Sequence, residues 1–237
     1  MKSDRAELLA RYSFELDQFQ LDALDVLDDG RHVIVAAPTG SGKTVIAEYG
    51  VEAALRSGRR AFYTAPIKAL SNQKYRDLVE IHGEDRVGLL TGDNSINGDA
   101  PVVVMTTEVL RNMIYGRRDL DDLGVVVLDE VHFLQDAYRG PVWEEVIIHL
   151  PQHVRLVCLS ATVSNAEELS DWIGTVRGPT TAVVETTRPV RLDNMYFVAD
   201  RTNDRLRLLP TIVDGRPNND ALRLDASGVR RGRGRRH

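Results

Sequence analysis

Short apolar runs that alternate with longer helix-like segments constrain this chain more than any other feature. The runs are His32–Ala36, Ala61–Thr64, Val87–Leu90, Val102–Met105, Val125–Leu128 and Arg155–Leu159. Several show no apolar–polar alternation, which suits strands buried on both faces of a parallel sheet. Between and after them lie Thr44–Arg56, Ile67–His82, Thr107–Tyr115, Trp143–Leu150 and Asn165–Ile173, all helix-like in spacing. The pattern predicts an α/β three-layer sandwich with a mostly parallel central sheet. A last core strand is expected at Ala182–Glu185, giving one compact domain from about Phe14 to Glu185. Asp214–His237 is rich in Gly, Asn, Asp and Arg. It has too few large apolar groups to offset its ordering entropy and is expected to be mobile.

The chain has 237 residues, 43% hydrophobic and 27% charged, which excludes a wholly disordered or fibrous protein. Its single cysteine, Cys158, rules out an intramolecular disulfide and a thiolate metal cluster. Cys158 sits in an apolar run and reads as core. No stretch approaches the roughly 20 apolar residues of a membrane span, and the start lacks the apolar core of a signal peptide. A cytoplasmic location with no membrane partner is therefore expected. The net charge is −5 even though five arginines follow Val229. Nucleic-acid contact by the acidic body must then come from a local site, not a general positive field. The arginine tail reads equally as a solvated tail or an extra RNA-binding arm.

After the first run comes Ala37-Pro38-Thr39-Gly40-Ser41-Gly42-Lys43-Thr44, followed by a helix. Phosphate oxygens need several backbone N–H groups turned into one concavity, which glycines permit. The helix start adds unpaired N–H groups and the positive end of a dipole. Lys43 would reach the β- and γ-phosphates of ATP, and the Thr44 hydroxyl would hold Mg²⁺. The match is to G-x-x-x-x-G-K-[ST], with Ala37 in place of the first glycine. A plain Gly/Ser turn is the competing reading, but the strand–loop–helix context fits the phosphate loop.

The run Val125–Leu128 ends in Asp129-Glu130-Val131-His132. Carboxylates at the C-terminal end of a buried parallel strand sit where open α/β sheets take ligands. Asp129 suits the magnesium shell opposite Thr44, and Glu130 suits a base for the attacking water. An ordinary acidic turn is the alternative for this segment taken alone. With the phosphate loop it completes a hydrolytic site.

The two motifs, APTGSGKT and DEVH, together resemble those of the first RecA-like motor domain of superfamily 2 DExH-box helicases. Thr64–Lys74 resembles the first strand-gripping motif of that family, Thr91-Gly92-Asp93 and Thr106–Arg111 resemble later ones, and Ser160-Ala161-Thr162 resembles the coupling motif. The phrasing is most similar to the RNA helicases that feed the exosome in eukaryotes and to their actinobacterial relatives. The resemblance implies a RecA-like P-loop NTPase fold over residues 1–198, with residues 199–237 a trailing linker. It places the adenine-reading amide at Gln20 and an aromatic lid at Phe14, although an amphipathic helix start also explains that segment. It implies contacts with the backbone of a single-stranded nucleic acid, RNA by subgroup, from Pro66, Lys68, Gln73, Thr91, Gly92, Thr107 and Arg111. Hydroxyls, turn amides and a few cations suit phosphate and sugar, not base edges. His132 would couple nucleotide state to a partner domain.

A full helicase of this kind resembles two such domains facing across ATP, the second supplying arginines to the γ-phosphate. No Gln-x-x-Gly-Arg-x-Gly-Arg type motif occurs here, so the chain resembles the first half of a helicase with its second RecA-like domain missing. Transition-state arginines are worth about 10³–10⁵ in rate, so the chain alone is expected to bind nucleotide and turn it over slowly. A stand-alone nucleotide-gated RNA-binding module and a DNA helicase fragment remain the alternatives. Another P-loop ATPase or a nucleotide kinase is disfavoured by six helicase-type motifs in order.

Overall fold

A computed structural model describes residues 2–161, 164–190, 192–200, 205–220 and 223. The chain divides into two compact units, residues 1–189 and 190–237. In the first unit, strands β1 (His32–Ala36), β2 (Arg60–Ala65), β3 (Val87–Leu90), β4 (Ser95–Ile96), β5 (Val102–Thr106), β6 (Leu123–Leu128), β7 (Arg155–Ser160) and β8 (Thr180–Val184) form one sheet. The order is β4-β3-β5-β2-β6-β7-β1-β8. Every pairing is parallel except the short edge strand β4 against β3.

Helices α1 (Lys2–Leu9) and α2 (Gln18–Asp28) precede β1. They are followed by α3 (Thr44–Arg56), α4 (Lys68–His82), α5 (Thr107–Tyr115), α6 (Gly140–His149) and α7 (Ala166–Arg177). The apolar runs lack polar alternation because consecutive residues enter opposite cores. Val33, Val35, Tyr63, Val102, Val104, Val125 and Val127 pack with α2, α3 and α4. Ile34, Phe62, Val103, Val126, Leu128 and Cys158 pack on the other face with α5, α6 and α7. The expected three-layer α/β sandwich is thus the observed one, and Cys158 and Trp143 are core residues, both fully buried.

Neither α1 nor α2 was expected as a complete helix. Asp17 and Gln20 form a capping box that starts α2, with the Gln20 side-chain oxygen accepting from the Asp17 N–H at 2.8 Å. The second unit also departs from expectation. Residues β9 (Met195–Asp200) and β10 (Arg205–Pro210) pair as an antiparallel hairpin, and β11 (Ile212–Val213) pairs with β12 (Arg216–Pro217). The boundary expected at residue 198 therefore falls inside β9, and the first unit ends at Pro189. The start of the segment expected to be mobile is a turn in which Asp214 and Gly215 both have positive φ, as a tight hairpin requires. The arginines beyond Val229 lie outside the described residues.

Candidate functional site

The phosphate loop leaves β1 at the C-terminal edge of the sheet, two strands from the end of β6, with β7 between. Gly40 and Gly42 have φ of 87° and 78°, conformations that tolerate no ordinary side chain at low cost. A Cβ on Gly42 would stand 2.6 Å from the Gln20 amide nitrogen. The Ala37 N–H donates to the Ser160 carbonyl at 3.1 Å, which ties the loop to the end of β7. The Ser41 hydroxyl donates to the Pro38 carbonyl at 2.8 Å. Lys43 folds back along the loop, its ammonium donating to the Ala37 and Pro38 carbonyls at 2.6 and 2.9 Å. Burial lowers the Lys43 pKa, while the nearby Glu130 and Asp129 charges oppose that shift. The amine of the loop and the acidic pair therefore share one corner of the molecule, although 85 residues of chain lie between Lys43 and Asp129.

Asp129 is held at both oxygens. Oδ2 accepts from the Tyr63 hydroxyl at 2.7 Å, and Oδ1 accepts from the Glu130 N–H at 2.9 Å. Glu130 adopts a left-handed conformation, φ 54°, uncommon for a residue with a side chain. Its carboxyl pKa is raised, first by burial and then by the Asp129 charge. Glu130 Oε2 and His132 Nδ1 are 3.2 Å apart, yet both are buried and without a hydrogen bond. Such orphaned atoms invite a water or ligand. His132 and Ser160 line one small cavity of about 20 Å³, which brings the DEVH segment to the expected coupling motif. Ser160 is buried and Ala161 partly so, while Thr162 lies outside the described residues.

The donors here are a hydroxyl and carboxylates, the hard oxygens that Mg²⁺ takes. Among the described residues no three His, Cys, Asp or Glu converge on one point. A divalent cation here would complete its shell with phosphate oxygens and water, the usual habit of Mg²⁺. Thr44 and Asp129 fit that arrangement.

Of the two residues expected on the adenine side, Gln20 is engaged within the fold and Phe14 is exposed. Gln20 is only 2% exposed. Its amide nitrogen donates to the Gly42 carbonyl at 3.0 Å while its oxygen caps α2. In this structure the Gln20 amide grips the phosphate loop. Phe14 is 55% exposed beside the Tyr12 ring, with centroids 5.4 Å apart.

The expected strand contacts follow the C-terminal ends of β2, β3 and β5, which are neighbours in the sheet. Lys68, Gln73 and Gly92 are exposed. Arg111 is half-buried, with its Nε 3.7 Å from Glu145. Pro66, Thr91 and Thr107 are buried. Pro66 follows the end of β2, and the Thr107 hydroxyl donates to the Ala65 carbonyl at 3.5 Å. Lys68 is paired with Asp93, whose other oxygen accepts from the Thr91 hydroxyl at 3.2 Å.

Two contributors were missed from sequence. Tyr63 reaches Asp129 only because β2 and β6 are adjacent, with Tyr63 level with Val127. Lys74 on α4 lies 3.4 Å from the Thr44 hydroxyl. A cavity of about 550 Å³ lies at the opposite end of the sheet among Arg5, Arg59, Gly124 and Arg155. Arg59 and Arg155 there donate to the Asp121 and Leu27 carbonyls, each at 3.3 Å, so they serve chain ends of the fold.

A glycine loop after β1 and an acidic pair after β6 of a parallel sheet define the class: a P-loop nucleotide-binding α/β domain. The chain belongs to the DEAD/DEAH box helicases, whose family profile matches residues 17–169. It is 57% identical over 203 residues to the probable helicase HelY of Mycobacterium leprae, covering 85% of this chain and 22% of that protein. It is 51% identical over 201 residues to the DExH-box ATP-dependent RNA helicase DExH15 of Arabidopsis thaliana, covering 82% of this chain and 17% of that one. The crystal structure of the helicase MrfA bound to DNA is similar over 76% of this chain and 29% of its own, with a TM-score of 0.62 and 25% identity. The chain thus spans less than a quarter of the length of these curated relatives. Among the described residues no helix is long and apolar enough to cross a membrane.

Proposed function

We propose that this chain is the ATP-binding first motor domain of an ATP-dependent RNA helicase, working in the cytoplasm. The observation that carries this reading is the convergence of Lys43, Asp129 and Glu130 at the C-terminal edge of the sheet. In this reading Lys43 exchanges its two loop carbonyls for the β- and γ-phosphates, and the loop amides from Pro38 to Thr44 surround the same phosphates. Thr44 and Asp129 hold Mg²⁺, which when bound neutralises phosphate charge. Glu130, with its raised pKa and an unpaired oxygen, orients the attacking water and accepts its proton. His132, beside Ser160, passes nucleotide state towards a second domain. Gln20, held by Gly42 and Asp17, reads the adenine edge, and the exposed Phe14 forms an aromatic lid on the base.

Lys68, Gln73, Thr91, Gly92 and Arg111 contact the phosphates and sugars of a single strand. Pro66 and Thr107 shape that surface from within. Such contacts are indifferent to sequence. RNA is preferred because relatives such as DExH15 are named as RNA helicases. A DNA strand is the second reading, favoured by the likeness to MrfA solved on DNA. Hydrolysis and unwinding need the arginines and closure of a second domain, so this chain alone binds Mg-ATP and hydrolyses it slowly.

The test is ATP turnover by a longer protein carrying both motor domains, with RNA and DNA strands compared. Stimulation by RNA supports the RNA reading, and stimulation by DNA alone transfers it to DNA. No ATP binding by the 237-residue chain in Mg²⁺ would end the proposal.

A further inference from the structure

Two residues with no role assigned so far touch the expected metal ligands, Tyr63 at Asp129 and Lys74 at Thr44. Tyr63 is almost completely buried in β2, and its hydroxyl donates to Asp129 Oδ2 at 2.7 Å. With the Glu130 N–H on Oδ1 at 2.9 Å, both carboxylate oxygens are pinned and the group cannot rotate freely. Lys74 comes from the other side, on α4. Its ammonium is 3.4 Å from Thr44 Oγ1, 3.6 Å from Asp77 Oδ2 and 5.9 Å from the centroid of the Tyr63 ring. Its side chain is only 17% exposed. A hydroxyl oxygen that accepts from an ammonium commits to it a lone pair that it could otherwise give a metal ion.

We infer that Tyr63 and Lys74 are positioning residues for the metal corner of the nucleotide site, one fixing the ligand and the other standing in for the cation. The inference rests on the proposed Mg-ATP site. Tyr63 fixes the carboxylate plane of Asp129. That matters because Mg²⁺ demands near-octahedral geometry and tolerates a misplaced ligand poorly. Lys74 bonds the Thr44 hydroxyl that the metal would need, and its charge otherwise faces Asp77 and Glu48. When Mg-nucleotide arrives, the ammonium gives up Thr44 and keeps Asp77, a partner already within reach. The two residues therefore act in opposite senses on metal binding: Tyr63 favours it, and Lys74 competes with it.

The opposition gives a signature that general structural damage would not reproduce. A fluorescent non-hydrolysable ATP analogue is titrated into the 237-residue chain with Mg²⁺ and again with EDTA, and the ratio of the two affinities is read. Outer-shell partners of metal ligands are typically worth 10–100-fold in metal affinity. Tyr63→Phe is expected to lower the ratio by about tenfold or more. Lys74→Gln, with the fold checked by circular dichroism, is expected to raise it by about threefold or more, the scale of one lost hydrogen bond. A ratio unchanged in either variant, or moved in the same direction in both, overturns the inference. Failure of the unmodified chain to bind the analogue, or to respond to Mg²⁺, would instead remove the nucleotide site itself.

Discussion

At the residue scale the site depends on which charges are already paired before any ligand arrives. Glu130 is only loosely paired: it faces His132 and Lys43, but burial and the Asp129 charge raise its pKa, and one of its oxygens has no hydrogen bond. In a two-domain protein, Glu130→Gln is expected to retain ATP and lose about 10²–10⁴-fold in turnover. Wild-type turnover by that variant would take Glu130 out of the mechanism. Lys68 is paired: its ammonium and the Thr91 hydroxyl both bond the Asp93 carboxylate, in the way they would bond a phosphate. The hydrogen bond from Lys68 is the chief reason that Asp93 keeps its pKa below the usual range. Asp93→Asn is therefore expected to tighten binding of a short RNA, and to steepen its salt dependence, because one more cation is freed for phosphate. Weaker binding would show that Asp93 supports the strand surface and does not compete for it.

Elements were legible from the chain in proportion to how local their causes are. The apolar runs became β1, β2, β3, β5, β6 and β7 because burial on both faces leaves an unbroken apolar signature. Helices α3 and α5 match the expected ranges, with the phosphate loop and Thr106 setting their starts. The start of α2 was also readable, since Asp17 and Gln20 have capping-box spacing. So was the second unit: Leu206 and Leu208 alternate with arginines in β10, and Asp214-Gly215 is a hairpin turn signal. What no local pattern could show was the Tyr63–Asp129 bond, which depends on strand order. Nor could it show that Gln20 spends its amide on Gly42, or that Thr107 is buried. The Gly42–Gln20 contact has a consequence for the whole loop. Gly42→Ala would place a methyl 2.6 Å from a buried amide at a φ of 78°, costing about 1–3 kcal/mol. Thermal unfolding should fall accordingly and ATP affinity should drop with it, while an unchanged melting temperature would mean that the loop relaxes freely.

At the scale of the molecule, one sheet carries both the core and the ligand edge, so unfolding and loss of the site should be one event. Cys158 reports it. The thiol is fully buried on β7, and burial pushes its pKa up to about 12. Alkylation near pH 8 should therefore be negligible in the folded chain and should rise with the same denaturant midpoint as circular dichroism. Earlier labelling would reveal a separate opening of β7. The sign with pH follows from linkage: above its ordinary range the unfolded chain gives up the thiol proton while the folded chain keeps it, so stability falls as pH rises towards 12.

The most direct test of the whole account is a titration of Mg-ATP into the unmodified chain and into Lys43→Ala. Removing a cation that bonds phosphate should weaken binding at least about tenfold, with the fold intact by circular dichroism. Equal affinity in the two proteins would contradict the account, because the glycine loop after β1 would then not be where the phosphates sit.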